Sequence, residues 1–387
     1  MRRLWGVLLA VLALSGCIPT VSLNDRAMIR AVAVDLLEDG RYQVTLQVNE
    51  AADGSSENGG PEQTALTETG RDLTELLSRA SVSRGKQMFL GSARLILVGE
   101  QLAREDLLPA LRFFNATQQV APTIAVAVVR GEAGELIHAG EEAGQFSADG
   151  VLDVLHKAQE AGYAPASRML DFFAQEQSQG GAPQLAVLEL ERHEPPPEAA
   201  QPDQLGGAGR TADKLRVAGS GLFRAGRMEA VLTPAQTRGL QWLGLDGRME
   251  ATPLSVELPL GGLAAANAYL QRATVRAGEA GGLPEFSIRL QVRAAVLELP
   301  EDMGPGWEEQ VAALQERAVR REVEEALAAT AGQGWDPCEL YQLARQQAPG
   351  CYWGHQEDWG EQLARARFRV EVDCQVIHTG GAARRDQ

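Results

Sequence analysis

Past its first seventeen residues the chain has no apolar run approaching the roughly 20 residues of a membrane-spanning helix, so everything beyond Cys17 reads as soluble. It also lacks a basic surplus. The formal charge of the 387 residues is −16, a balance that repels phosphate and argues against nucleic acid as a partner. The same balance gives no overall electrostatic grip on anionic lipid. Aromatic residues make up only 5%, and no sugar-stacking platform accompanies the carboxylates, as a glycosidase would want. Adjacent acids such as Glu324 with Glu325, or Glu357 with Asp358, read as solvated surface. No P-loop or dinucleotide fingerprint occurs, and Gly219-Ser220-Gly221 lacks the spacing of a nucleophile elbow. The five histidines, His138, His156, His193, His355 and His378, do not join cysteines at metal-ligand spacing. Cys374 and His378, for instance, stand roughly 13 Å apart along a strand. No metal, no cofactor and no catalytic residue is expected.

What is present begins at the first residue. Met1-Arg2-Arg3 is a short basic start, Leu4 to Leu14 is an apolar run too short to span a bilayer, and Leu14-Ser15-Gly16-Cys17 follows at once. Small residues before a cysteine are the bacterial lipobox, and this reading is preferred to an ordinary secretory signal with an incidental cysteine. Residues 1–16 are expected to be a signal peptide. Its removal would leave Cys17 as the first residue, carrying a covalent diacylglycerol and an N-acyl lipid. The remaining chain would hold 34 basic and 52 acidic residues, a net charge of −18, so the lipid itself must hold it to the outer face of the membrane. Three other cysteines remain. Cys338 and Cys351 are candidates for a short disulfide loop, and Cys374 falls on the apolar face of a strand as a buried, inert thiol.

The patterning alternates along the chain. Arg30 to Leu36 and Tyr42 to Asn49 predict a hairpin across Glu38-Asp39-Gly40, followed by a Gly/Ser/Asn-rich break from Ala51 to Pro61. A helix is expected around Leu73 to Ala80, a strand at Leu95 to Val98, a helix over Gln101 to Phe114 and a strand at Thr123 to Val129. Helices at Glu132 to Ile137, Val151 to Glu160 and Ser167 to Gln175 come next, then a strand at Gln184 to Leu190. Pro195-Pro196-Pro197 opens an exposed polar loop, 194–213. Leu215 to Phe223 and Arg227 to Leu232 form a second hairpin, and Thr233-Pro234 starts a helix with threonine as N-cap and proline in the first turn. Met249 to Leu258 is strand-like, and Phe286 to Val296 is a long strand covered on one face only. Trp307 to about Ala329 is the longest helix, with a broad apolar stripe and a charged back. A shorter helix from Asp336 to Gln347 and a closing strand from Ala366 to His378 complete the chain. Four tryptophans of the last third, Trp307, Trp335, Trp353 and Trp359, are expected to pack that long helix onto its sheet.

In order and spacing these segments resemble the Ger(x)C spore-germination lipoproteins, the C subunits of germinant receptors. The resemblance rests on Leu23-Asn24-Asp25-Arg26 running into Ala31-Val32-Ala33-Val34-Asp35 and its hairpin. Its most specific element is Arg84-Gly85-Lys86-Gln87-Met88-Phe89-Leu90-Gly91-Ser92-Ala93-Arg94 with Leu95 to Ala103. Gly219-Ser220-Gly221-Leu222-Phe223 and Trp335-Asp336-Pro337 through Trp359 to Thr379-Gly380 complete it. There are departures: Ser92 stands where many relatives carry histidine, and the loop near Pro195 looks added. The resemblance implies a non-enzymatic lipoprotein on the outer face of the spore inner membrane. Its partners would be integral-membrane A and B subunits, and it would support nutrient-triggered germination, with direct germinant contact by this subunit left open.

The expected fold class is α+β, a three-domain ectodomain of mixed sheets with packed helices. Domain 1 is read as discontinuous, 17–62 and 183–248, its opening hairpin pairing with Gln184 to Leu190 and the Leu215 to Leu232 hairpin. An α/β unit, 63–182, is read as inserted, and 249–380 as a C-terminal antiparallel sheet under the long helix, with a tail at 381–387. The rival functions are a solute-binding or other envelope lipoprotein of a vegetative cell, and an envelope hydrolase. The first needs two doubly wound lobes, and the second a cleft with converging acids.

Overall fold

The computed structural model describes residues 25–50, 62–143, 146–178, 180–192, 213–244, 249–259, 261–300 and 303–378. The expected signal peptide and lipobox, nearly all of loop 194–213, and the tail 381–387 lie outside them.

β1 (Arg26–Leu36) is apolar from Ala31 to Val34, as a strand covered on both faces must be. Gly40, at φ +78°, closes its hairpin with β2 (Tyr42–Glu50). β3 (Glu62–Gly70) pairs with β2 at the sheet edge, where mostly polar residues suffice and leave no apolar signal in the sequence. α1 (Leu73–Arg84) starts at Asp72, whose carboxylate accepts the Glu75 N–H, and stops at Gly85 in the left-handed region. β4 (Gln87–Phe89) and β5 (Leu95–Gly99) lie parallel to β1. The expected single helix over 101–114 is two, α2 (Glu100–Glu105) and α3 (Leu108–Ala116). Asp106 accepts the Leu108 N–H and Leu107 donates to the Gly226 carbonyl, which interrupts the helical ladder. β6 (Ala125–Val129), α4 (Ala133–Ala143), α5 (Ala148–Glu160), α6 (Met169–Glu176), β7 (Gln184–Glu191), β8 (Lys214–Arg224) and β9 (Arg227–Leu232) follow.

The strand order is β3-β2-β1-β5-β6-β7-β8-β9, with β4 beside the start of β1. This corrects the expected domain division. The opening hairpin does not pair with β7 or β8, because β5 and β6, from the segment read as an inserted unit, stand between them. Burial gives the reason: Leu95 to Val98 and Val126 to Val129 are buried along their whole length, so these strands belong at the centre of a sheet covered on both sides. One face is covered by α1, α2, α3 and α6 through Leu76, Leu102, Leu111, Phe114 and Phe172. The other is covered by α4 and α5 through Leu136, Ile137, Val151 and Leu155.

A Thr233–Gln236 capping box opens α7 (Pro234–Gln241), which leads to a second sheet. Its order is β10 (Thr252–Glu257), β11 (Leu263–Ala280), β12 (Leu283–Glu298), β13 (Arg367–His378). β11 is a strand that its alanine-rich sequence does not announce. Pairing with β12 from Ala265 to Ala280 overrides helix propensity, and Ala264, Ala266 and Ala268 are buried within the core that α8 (Trp307–Ala329) closes. α9 (Leu340–Gln347), α10 (Pro349–Gly354) and α11 (Trp359–Ala364) precede β13. β13 runs parallel to β12, so the sheet expected to be antiparallel is mixed. The helices between the two strands are the long crossover that a parallel pair requires. Trp359 is buried and Trp307 and Trp335 pack at core margins, whereas Trp353, expected in the core, is 60% exposed.

One buried carboxylate fixes how α4 meets the first sheet. Asp35, at the end of β1 and 2% exposed, accepts the Ala133 N–H at 2.6 Å and the Gly134 N–H at 2.9 Å, two donors of the first turn of α4. Burial nevertheless pushes its pKa up to about 6, against the pull of those two bonds. A Cβ on Gly99 would lie 2.0 Å from Asp35 Oδ1, so glycine there is what admits the carboxylate. Gly99→Ala is expected to cost about 1–3 kcal/mol by displacing Asp35. Urea unfolding measures this, and an unchanged midpoint would show that Asp35 does not depend on that space.

Candidate functional site

The sequence-expected anchor, Cys17 with Leu14, Ser15 and Gly16, lies outside the described residues. Cys338 and Cys351 are not joined: both carry thiols. α9 stands between them in the chain, and their side chains go to different surroundings. Cys338 lines a cleft with Gln241 and Arg168, while Cys351 is buried with Glu279 as its acidic neighbour. Cys374 is buried on the inner face of β13, and burial pushes its thiol up to about 12, which leaves it protonated and unreactive.

The motifs singled out in the sequence converge instead on the joint between the two sheets. Gly219-Ser220-Gly221 fits β8 against β9 and α7. A Cβ on Gly219 would meet the Leu232 carbonyl at 1.9 Å, and Ser220 Oγ lies 3.0 Å from Thr237 Oγ1. Trp335-Asp336-Pro337 crosses from α8 to α9. Asp336 Oδ1 accepts the Leu340 N–H at 2.7 Å, and its Oδ2 accepts from the Tyr341 N–H at 2.8 Å and Trp359 Nε1 at 3.1 Å. The Asp336 N–H donates to the Gly180 carbonyl of the first sheet's domain. Arg224 stacks on Trp335 with its guanidinium 4.6 Å from the ring centre, and donates to the Gly334 carbonyl.

A second tie was not signalled by the sequence. Arg238 of α7 forms a bidentate pair with Glu322 of α8, which also accepts from Trp242 Nε1 at 3.0 Å. The remaining Arg238 nitrogen donates to the Tyr163 hydroxyl, Thr252 Oγ1 and the Pro253 carbonyl. Arg238 and Glu322 stand 84 residues apart in a chain rich in both charges, so no local pattern marks them.

These groups hold backbone and one another in place. Asp336 is fully buried, and the cleft of about 380 Å³ beside it brings Cys338 near no histidine. A second cleft, of about 460 Å³, lies on Gly180, Arg224 and Trp359, members of the joint itself. Among the described residues no group of three or more His, Cys, Asp or Glu side chains could hold a metal ion.

Two expectations follow. Arg238→Ala leaves the Glu322 carboxylate buried without its partner and should cost about 3–5 kcal/mol, read as a shifted urea midpoint. Burial raises the Asp336 pKa from 3.8 to about 6, so between those values the folded state binds the proton more tightly than the unfolded chain. That contribution is present in full below the lower value and lost as pH rises through the upper. The penalty of Asp336→Asn should therefore be larger near pH 4 than at pH 7. Denaturant unfolding of both proteins at the two pH values reads it, and equal penalties would show that this carboxyl does not titrate in the window.

The comparisons agree with this arrangement. Residues 19–190 match the family model described as spore germination protein N-terminal domain, and residues 218–380 the model described as spore germination B3/GerAC like, C-terminal. YfkR of Bacillus subtilis (strain 168), whose name places it in spore germination, is 26% identical over 149 residues, 37% of this chain and 38% of YfkR. Spore germination protein KC of the same organism is 29% identical over 106 residues, 26% of each chain. Each alignment thus spans well under half of the curated relative's length. The crystal structure of the GerBC protein superposes over 92% of this chain and 100% of its own, with a TM-score of 0.56 at 15% identity, a likeness of fold. With both family models matched in order over most of its length, the chain belongs to the GerAC-like family of spore-germination proteins.

Proposed function

We propose that the chain is a lipid-anchored, non-enzymatic subunit of a nutrient germinant receptor, held on the outer face of the spore inner membrane and docking on integral-membrane A and B subunits. The observation that carries this reading is the order of features along one chain: a lipobox at Leu14 to Cys17, then both family domains. No helix among the described residues is long and apolar enough to cross a membrane. In this reading a lipid on Cys17 is the means of attachment. The joint supports a positioning role. The Asp336 N–H on the Gly180 carbonyl, Arg224 on Trp335 and the Arg238–Glu322 pair tie the two sheets to one another, as a scaffold between membrane partners requires.

The test is Cys17→Ala in the sporulating host. The variant is expected to leave the inner-membrane fraction of spores and to slow germination on nutrients, with germination by non-nutrient triggers intact. Spores that retain the variant on the membrane and germinate normally would overturn the reading.

A further inference from the structure

The second sheet is covered on one face only, and its open face is not acidic like the rest of the chain. Alternate residues of three strands fall in register there. Arg272 and Arg276 of β11, Arg289 and Arg293 of β12, and Arg367 and Arg369 of β13 all point to solvent. Five carboxylates share the face: Glu285, Glu371 and Asp373 among the arginines, and Glu257 and Glu298 towards its other end. The part of the face around Arg272, Arg276, Arg289 and Arg369 is thus basic on a chain whose formal charge is −16. Arg289 pairs with Glu371 at 2.9 Å, and Arg369 stands 2.8 Å from Glu285. Arg272, Arg276, Arg293 and Arg367 form no ion pair with any described residue. A shallow depression of about 510 Å³ lies among Arg272, Arg276, Arg289 and Arg369.

The same strand has an open edge. β10 pairs with β11 only as far as Thr252 opposite Ala268, so from Tyr269 to Ala280 no described strand lies on that side. Ala277 N–H is taken by the Gln347 side chain of α9, which packs against β11 at this end, and no described strand pairs with the other outward backbone groups of this stretch. An open edge beside unpaired charges of one sign fits a partner with both a backbone to hydrogen-bond and carboxylates to meet the guanidinium groups. Lipid headgroups supply only the second. The interspersed Glu371, Glu285 and Asp373 would also be repelled by a uniformly anionic membrane, whereas a polypeptide can place its charges between them.

We propose that the open face of the second sheet is a docking surface for an extended acidic segment of a protein partner, added along the free edge of β11 with its carboxylates over Arg272 and Arg276. The surface does not involve the lipid anchor, and it stands whether or not the partner is a receptor subunit.

The full chain carrying Cys17→Ala, which removes the lipid handle, is titrated with a ten-residue peptide of alternating Thr and Glu. A Thr/Lys peptide and phosphatidylglycerol vesicles serve as comparisons. Saturable binding of the acidic peptide alone is expected, weakened by salt, reduced by backbone N-methylation, and reduced roughly tenfold by Arg272→Gln with Arg276→Gln and Arg293→Gln. These side chains are exposed and without ion pairs, so the variant should fold, which its urea midpoint checks. If it does not, salt dependence and N-methylation on the unaltered face decide. No binding of the acidic peptide, equal binding of the basic one, binding indifferent to N-methylation, or capture by the vesicles without peptide binding would each overturn the proposal.

Discussion

The joint of this molecule is built around one charged contact taken out of water. Each sheet has its own apolar core, and a small apolar cluster, Leu222 and Leu232 of the first sheet with Leu240 of α7 and Ala326 of α8, joins them. Arg238 and Glu322 add to that cluster a contact of fixed geometry. A guanidinium and a carboxylate, each about a tenth exposed, have few alternatives once desolvated, because any other geometry leaves a buried charge without its partner. Gly239 lets the two helices approach until a Cβ there would lie 2.2 Å from the Glu322 carbonyl, and Trp242 then completes the acceptor set of the Glu322 side chain. The contact is specific more than it is strong, since a well-packed apolar substitute could be as stable without fixing an orientation.

Asp35 and Asp336 work by the same physics at smaller scale. Both are buried carboxylates that accept main-chain N–H groups of a helix start, and in both burial outweighs those bonds and raises the pKa to about 6. Perturbed carboxyls of this kind attract attention as catalytic candidates, yet both side chains are buried and spend their oxygens on the protein's own N–H groups. Asp35 sets the start of α4 on the first sheet, and Asp336 sets the start of α9. The charge is unevenly distributed: a chain with an acidic total keeps a cluster of arginines on the open face of its second sheet.

Much of the fold was legible wherever burial repeats at a local period. The β1–β2 hairpin, the 23-residue α8, the Thr233 cap and the alternation of β12 are local consequences of side-chain spacing, and the structure has them. Three features were not legible, each for a physical reason. β3 is polar because it lies at an edge, and β11 is rich in alanine because its inner positions need small side chains. The parallel setting of β13 depends on where the intervening helices return the chain, not on the strand's own residues. The disulfide reading of Cys338 and Cys351 failed for a related reason: thirteen positions along the chain say nothing of where α9 sends the two thiols.

The sequence by itself determined the apolar runs of the central strands and the family to which their order belongs, because these are properties of short contiguous segments. Only the tertiary structure decided that one sheet runs through what reads as two domains, since β5 and β6 can hide both faces only between other strands. It alone brought Arg238 to Glu322 and set six arginines in register on one face, because neither juxtaposition exists until distant strands and helices have packed.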